Sequence, residues 1–254
     1  MTGRSFALLG SGEFEPWTTD VDRWLLGRTT RTGPVLIAPT ASAPEGEDVF
    51  RRWAGAGLEH FGGGSRRAEV LELRTREDAF REDVVERLVD ASVLYFSGGN
   101  PAYLVETLAD TPFWTAVLTG LERGLSYAGC SAGVAALGVR APDSSRRGFS
   151  DDAWRDGLGL FPRTLFGPHW DAVDFYLPGA TAAIQRAVPP GARLFAIDEN
   201  TAAVGDGRTW SVIGSGSVAI LEAGAWRRFA SGETYECDAV GEAQTTSEMT
   251  EERP

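Results

Sequence analysis

The first half of the chain alternates short apolar runs with longer amphipathic stretches. Helical spacing of apolar side chains is clearest over residues 82–89, and further helical stretches cover 103–108 and 113–122. The apolar runs are typical of strands buried on both faces of a sheet, and they lie at positions 5–9, 34–38, 68–73 and 93–96. This alternation predicts a doubly wound α/β fold, in which a mostly parallel sheet is flanked by helices and ligands bind at the carboxyl ends of the strands.

The pattern changes after residue 190. Short strand-like runs, separated by glycine or Asp-Gly turns, occupy positions 193–197, 201–204, 209–213 and 217–221. They predict an antiparallel meander at the edge of the sheet. Residues 241–254 carry charges and hydroxyls with almost no apolar side chains, which predicts a disordered tail after a single α/β domain over residues 1–240.

Charge and hydropathy exclude several classes of function. The net charge of −12 repels phosphate backbones, and basic residues cluster only in pairs, so we expect no nucleic-acid partner. No apolar run approaches the roughly 20 residues of a membrane-spanning helix, and the start of the chain lacks the apolar stretch of a signal peptide. We therefore expect no membrane partner and a cytoplasmic location. Two histidines and two cysteines are too few for a Cys/His metal cluster, so we predict neither a metal nor another cofactor.

A glycine-flanked turn near the middle of the chain is the strongest candidate for a catalytic site. Residues 125–128 predict a strand and 134–137 the first turn of a helix, and between them lies Gly129-Cys130-Ser131-Ala132-Gly133. A nucleophile elbow needs small residues two positions on either side of the nucleophile. The glycines centre on Ser131 and not on Cys130, which favours a serine nucleophile. The alternative is that Ser131 merely caps the helix.

A serine nucleophile needs a base, and the chain offers two histidines. His169 lies in a Gly/Pro-punctuated loop, the kind of segment that carries catalytic side chains, whereas His60 fits the C-terminal end of a helix. We therefore prefer His169. The orienting acid stays open among Asp143, Asp151, Asp171, Asp198 and Glu199, although the last two follow a predicted strand and can face the site.

Backbone N–H groups near the elbow are candidates for an oxyanion hole. The N–H of Ala132 directly follows the nucleophile, and Gly99 lies in a glycine turn after the strand at 93–96. A simple strand-end turn is the alternative for Gly99. A second glycine turn, Gly10-Ser11-Gly12-Glu13, lacks the third glycine of a dinucleotide-binding loop, and we interpret it as a tight turn beside the site.

Together these segments resemble the peptidase E and cyanophycinase family, over about residues 5–222. The segments that carry the resemblance are Phe96-Ser97-Gly98-Gly99-Asn100, Ala128-Gly129-Cys130-Ser131-Ala132-Gly133, Pro168-His169 and Ile197-Asp198-Glu199-Asn200-Thr201-Ala202. The resemblance implies a class I glutamine amidotransferase-like fold and hydrolysis of small or isopeptide-type aspartyl peptides. It also implies a role for each site residue. Ser131 would be the nucleophile, His169 the base and Glu199 the third member of the catalytic triad. Gly99 and Ala132 would form the oxyanion hole, and Asn100 would be a polar substrate contact.

One segment departs from that family. Cyanophycinase-like members carry arginines just after the histidine, whereas here the residues include Trp170, Asp171 and Asp174. The aspartates predict a carboxylate-lined pocket for a basic or amino group, on which Trp170 would stack. We expect a serine dipeptidase or isopeptide hydrolase with a small peptide or amide substrate. The alternatives are an esterase for small acyl groups and a non-catalytic binding module on the same fold. The oligomeric state stays open, a homodimer included.

Overall fold

The computed structural model describes residues 4–64, 66–146 and 151–239. Each strand predicted from the sequence is present, with ends shifted by a few residues. In chain order the strands are β1 (Ser5–Leu9), β2 (Val35–Ala38), β3 (Ala68–Val70), β4 (Val93–Phe96), β5 (Ser126–Cys130), β6 (Arg140–Pro142), β7 (Trp154–Asp156), β8 (Thr164–Gly167), β9 (Arg193–Ile197), β10 (Thr201–Gly205), β11 (Thr209–Gly214), β12 (Ser217–Glu222), β13 (Ala225–Ala230) and β14 (Thr234–Glu236).

The helices fill the connections between these strands. Proline at the first position of α4 and of α5 fits the start of a helix, where its missing N–H costs no hydrogen bond. In chain order the helices are α1 (Thr19–Arg28), α2 (Glu47–Phe61), α3 (Glu82–Asp90), α4 (Pro101–Leu108), α5 (Pro112–Glu122), α6 (Ala132–Ala135), α7 (Val173–Tyr176) and α8 (Ala180–Ala187).

The larger sheet has eight strands in the order β14-β11-β10-β1-β5-β4-β2-β3. Five neighbouring strands of this sheet run parallel to one another: β1, β5, β4, β2 and β3. Successive side chains of a strand point to opposite faces. Accordingly, Phe6 and Leu8 of β1 pack into one core with α3 to α5, whereas Ala7 and Leu9 pack into a second core with α1. Both faces of the sheet are therefore covered, which confirms the doubly wound α/β fold.

The antiparallel C-terminal strands are present, but they divide between two sheets instead of lying at one edge. Strands β10, β11 and β14 extend the larger sheet beside β1, while a smaller sheet has the order β13-β12-β9-β8. The loop 198–200 crosses from β9 in the smaller sheet to β10 in the larger one. Asp198 holds this crossing, because its Oδ2 accepts hydrogen bonds from the N–H (2.9 Å) and the hydroxyl (2.6 Å) of Ser217 at the start of β12.

The carboxyl ends of three neighbouring parallel strands meet at one edge of the larger sheet. Leu9 of β1 pairs with Cys130 of β5, and Phe96 of β4 pairs with Gly129. The turns that follow these strands therefore lie side by side, and they are the glycine turns singled out in the sequence. Within the described ranges, the helices lack the length and apolar character required to cross a bilayer. The predicted tail at 241–254 lies outside those ranges, and the single-domain assignment stays a prediction.

Candidate active site

Ser131 lies in a sharp turn between β5 and α6. Its backbone has φ 50° and ψ −102°, a conformation that residues other than glycine rarely adopt. Such strained conformations are typical of functional positions. Its N–H donates to the carbonyl oxygen of Leu9 (3.0 Å), which ties the turn to β1. The side chain of Ser131 makes no capping hydrogen bond to α6. The helix-cap alternative is therefore wrong.

The two glycines of the turn are required by close backbone contacts. A Cβ on Gly129 would lie 2.5 Å from the carbonyl oxygen of Gly133, and a Cβ on Gly133 would lie 2.6 Å from that of Phe96. Both distances are too short for non-bonded atoms. Strand β5, helix α6 and strand β4 can approach this closely only without those side chains.

Gly133→Ala is expected to lower the free energy of unfolding by about 1–3 kcal/mol, because the new methyl group forces α6 away from β4. The matched control is Gly55→Ala in α2, where an added Cβ meets nothing within 4 Å. That change removes a glycine from a helix interior and should stabilise the fold by about 0.5–1 kcal/mol. Urea denaturation of both variants measures the two effects, and a shift of the same sign in both would contradict the steric account.

His169 joins Ser131 to Glu199. Its Nε2 lies 2.8 Å from Ser131 Oγ, and its Nδ1 lies 2.9 Å from Glu199 Oε1. With its proton on Nδ1, the imidazole donates to Glu199 and its Nε2 accepts the serine hydroxyl. His169 and Glu199 follow the adjacent parallel strands β8 and β9, which explains why their side chains meet. Of the two candidate acids that follow β9, Glu199 therefore contacts His169, whereas the Asp198 carboxylate binds Ser217.

Two further contacts hold Glu199. The Tyr176 hydroxyl donates to Glu199 Oε1 (2.9 Å), and the N–H of Glu199 donates to Asp171 Oδ1 (2.7 Å). The hydrogen bond from His169 is the main cause that lowers the pKa of Glu199 below its usual value of 4.5, so the carboxylate is ionised at neutral pH. Tyr176 is a residue that sequence reasoning missed, because a tyrosine in an exposed helix carries no catalytic signal.

The lowered pKa of Glu199 predicts how stability depends on pH. A carboxyl whose folded pKa lies below its unfolded value of about 4.3 contributes stability above that value, and the contribution is lost as pH falls through the folded pKa. The Glu199→Gln variant has no titratable group at this position. Wild type should therefore be the more stable protein above the unfolded pKa of Glu199, and its advantage over the variant should shrink as pH falls through the folded pKa. Urea titrations between about pH 7 and pH 2.5 measure it, and a difference that widens in acid would contradict the assigned sign.

Gly99 and Asn100 form the turn after β4. Gly99 has φ 142°, and a Cβ there would lie 2.3 Å from the backbone of Ala41, so glycine is required. Gly99 lines the same cavity as Ser131 and His169. The Asn100 side chain has other partners: its Oδ1 caps α4 by accepting the N–H groups of Ala102 and Tyr103, and its Nδ2 donates to Asp143 Oδ1 (2.9 Å). Ala132, the other predicted oxyanion donor, opens α6, where backbone N–H groups have no acceptor within the helix.

A buried carboxylate lies next to the turn that carries Ser131. Glu13 Oε1 accepts the N–H of Gly98 (2.8 Å), and its Oε2 accepts the thiol of Cys130 (2.8 Å). Burial raises the pKa of Cys130 well above its usual value, and the Glu13 charge adds to the shift. Cys130 is therefore a thiol and not a nucleophilic thiolate, in agreement with the glycine register. The signal for Glu13 in the sequence is an acidic residue just beyond the first buried strand.

Trp170 and Asp171 do not line the cavity beside Ser131. The Trp170 ring packs on Trp226, with ring centroids 5.6 Å apart, and against the apolar core of the smaller sheet. Asp171 accepts the N–H of Glu199, and Asp174 accepts that of Thr181 (3.0 Å) at the start of α8. This placement contradicts the expected pocket lined by the carboxylates that follow His169. Each aspartate accepts a backbone N–H through its Oδ1, and neither lines the cavity.

His60 lies apart from this constellation. Its Nε2 is 2.6 Å from Asp22 Oδ2 on α1, and both side chains are largely buried. The contact joins α2 to α1, which replaces the expected helix-capping role. His60 therefore has a packing function between two helices, and His169 is the histidine at the serine.

Comparison with known proteins supports the resemblance. Residues 6–213 match the model of peptidase family S51. A cyanophycinase of Nostoc sp. (strain PCC 7120 / SAG 25.82 / UTEX 2576) is 30% identical over 169 residues, which cover 63% of this chain and 54% of that protein. A cyanophycinase of Geminocystis herdmanii (strain PCC 6308) is 28% identical over 169 residues, 63% of this chain and 60% of the relative. The chain thus aligns with little more than half the length of these relatives.

A solved structure resembles nearly the whole chain. The crystal structure of a peptidase from an acI-B1 Actinobacterium superimposes with a TM-score of 0.84 and 30% sequence identity, covering 92% of this chain and 97% of the other. The family match extends over most of the described strands and includes all three members of the Ser131, His169 and Glu199 constellation. The chain belongs to peptidase family S51.

Proposed function

We propose that this protein is a serine peptidase that hydrolyses small peptides through an acyl-enzyme. The observation that carries the proposal is the continuous hydrogen-bonded series from Ser131 through His169 to Glu199, with distances of 2.8 and 2.9 Å. A serine beside a neutral imidazole that is itself oriented by a carboxylate is the arrangement of an activated nucleophile. The strained backbone of Ser131 supports a catalytic role over a binding module, because strain persists where function requires it.

The reaction proceeds in two halves. Ser131 Oγ attacks the carbonyl carbon of the substrate while His169 Nε2 takes the hydroxyl proton, and the oxyanion is stabilised by the N–H groups of Gly99 and Ala132. The C–N bond then breaks as His169 returns the proton to the leaving amine. Water attacks the acyl-enzyme with His169 again as base, which releases the carboxylic acid and restores the serine. Glu199 stays ionised and stabilises the imidazolium in both halves.

The size of the site favours short substrates. The cavity beside Ser131 has a volume of about 450 Å³, which is enough for a substrate of a few residues. The Nostoc relative bears the name cyanophycinase and the actinobacterial structure the name peptidase, and both names support amide hydrolysis. We propose dipeptide-type substrates on these grounds.

A fluorophosphonate probe tests the proposal. The expected result is one label per chain, located on Ser131 by peptide mass spectrometry, and none on Ser144, an exposed serine that lines the same cavity. A Ser144→Ala variant should label at the wild-type rate. Label on another residue, or none at all, would remove Ser131 from the mechanism. Comparing hydrolysis of matched amide and ester substrates then separates a peptidase from a small-acyl esterase, since an esterase would leave the amide intact.

A further inference from the structure

The cavity beside the nucleophile has apolar walls drawn from several elements. The side chains of Ala135 on α6, Trp154 on β7, Phe166 on β8, Leu177 after α7 and Ile184 on α8 line it together with Ser131 and His169. Four of these wall residues are buried, and Leu177 is partly exposed. A side chain that enters this space exchanges water for aliphatic and aromatic contacts.

The charged groups at the rim already have partners. The carboxylate and guanidinium groups that line the cavity in the described part of the chain are those of Asp143 and Arg146. Asp143 accepts from Asn100 (2.9 Å) and from the Ser145 hydroxyl (2.6 Å), and it lies 3.4 Å from Arg146. These hydrogen bonds, that of Ser145 first, lower the pKa of Asp143, so it is ionised and Arg146 faces a fixed negative charge. Arg146 also forms an ion pair with Asp152.

Among the residues that the structure describes, a charged substrate side chain would therefore meet apolar walls and no unpaired counter-ion. Moving an ion out of water into such a space is costly unless an opposite charge or several hydrogen bonds compensate. An aspartyl side chain would face the neutralised pair of Asp143 and Arg146, and a lysyl side chain would face the same pair. Neither the aspartyl preference of the resembling family nor a preference for basic groups fits this cavity.

We propose that the residue whose carbonyl Ser131 attacks carries a bulky apolar side chain, such as that of phenylalanine or leucine, which fills this cavity. This inference rests on the proposed function and narrows it to a substrate class. The transfer of such a side chain from water to an apolar pocket favours the apolar substrate over a charged one by about 10- to 100-fold in kcat/KM.

Phosphonate probes measure this preference directly at the nucleophile. Diphenyl α-aminoalkylphosphonates with the side chain of phenylalanine, leucine, aspartate or lysine share one reactive group. Ser131 Oγ forms a bond to phosphorus, one P–O bond breaks, and phenol leaves with the proton that His169 took from the serine. We expect the phenylalanine and leucine probes to react at least about 10-fold faster than the aspartate and lysine probes. Dipeptides with the same four residues at the N-terminal position should follow the same order in kcat/KM.

A matched pair of variants tests the wall itself. Leu177 and Leu118 are both 39% exposed, but only Leu177 lines the cavity, while Leu118 lies on α5. Leu177→Arg should slow the phenylalanine probe by about 10-fold and accelerate the aspartate probe, because it replaces apolar wall with an unpaired positive charge. Leu118→Arg should leave both rates unchanged. Circular dichroism of the two variants shows whether each is folded.

The outcomes separate the two proposals. A wild-type protein that reacts with the aspartate or lysine probe as fast as with the phenylalanine probe overturns the apolar preference, while labelling of Ser131 leaves the peptidase proposal standing. Equal effects of Leu177→Arg and Leu118→Arg also overturn the role of this cavity. Failure of every probe to label Ser131, together with no hydrolysis of any dipeptide, contradicts the proposed function and the preference with it.

Discussion

Replacing Ser131 with alanine is expected to reduce kcat for a dipeptide by about 10⁶-fold, because the acyl-enzyme can no longer form. Single-turnover hydrolysis of a phenylalanyl dipeptide measures the loss, and the control that should retain wild-type activity is Ser231→Ala, a change at an exposed serine that does not line the cavity. Activity of Ser131→Ala within about 100-fold of wild type would place the nucleophile elsewhere.

The same position links activity to stability. A non-glycine residue with φ 50° is strained, and glycine adopts such angles without cost. Ser131→Gly should therefore be as inactive as Ser131→Ala, yet more stable than it by about 1 kcal/mol or more. Thermal and urea denaturation of the two variants measure this difference. Equal stability of the two would show that the turn stores no strain.

Glu199→Ala is expected to reduce kcat by about 10⁴-fold, because His169 loses the carboxylate that orients its ring and stabilises its charged form. The control is Asp198→Asn, next in the chain. Asp198 binds the N–H and hydroxyl of Ser217 and contacts Arg228 (3.6 Å), so its replacement should lower the melting temperature while kcat stays within a few-fold of wild type. If Asp198→Asn instead lost as much activity as Glu199→Ala, the assignment of Glu199 would be wrong.

The local sequence does not determine which of these two acids contacts His169. Both follow the same strand, and either could face the site. Successive residues of an extended chain point to opposite sides, and the pairing of β9 with β12 decides which side Asp198 takes. That pairing is a long-range contact, and the local pattern of Asp198-Glu199-Asn200 contains no information about it.

The elements predicted with the best agreement are those specified by local pattern. The parallel strands and the elbow at Ser131 follow from apolar runs and glycine spacing, and the structure contains both. The hairpin of β6 and β7 and helix α8 were not predicted, because they are short and lack a clear period. These two elements supply Trp154 and Ile184 to the cavity, so the sequence could not predict its apolar walls.

Trp170 and Asp171 illustrate the same limit. Both were expected to contact substrate because they follow His169 in the chain. In the structure the direction of each side chain is set by a partner from a distant segment: Trp226 for the ring and the N–H of Glu199 for the carboxylate. Nearness in sequence to a catalytic residue therefore did not predict nearness to the substrate cavity.

The three groups that we propose as catalytic are distributed over both sheets. Ser131 follows β5 of the larger sheet, whereas His169 and Glu199 follow β8 and β9 of the smaller one. A small slide of one sheet over the other would separate Oγ from Nε2 and leave the His169–Glu199 contact intact, because adjacent strands carry both of its members. The turnover rate therefore depends strongly on the relative position of the two sheets. We therefore expect heating to abolish turnover at a lower temperature than the one at which the secondary structure is lost.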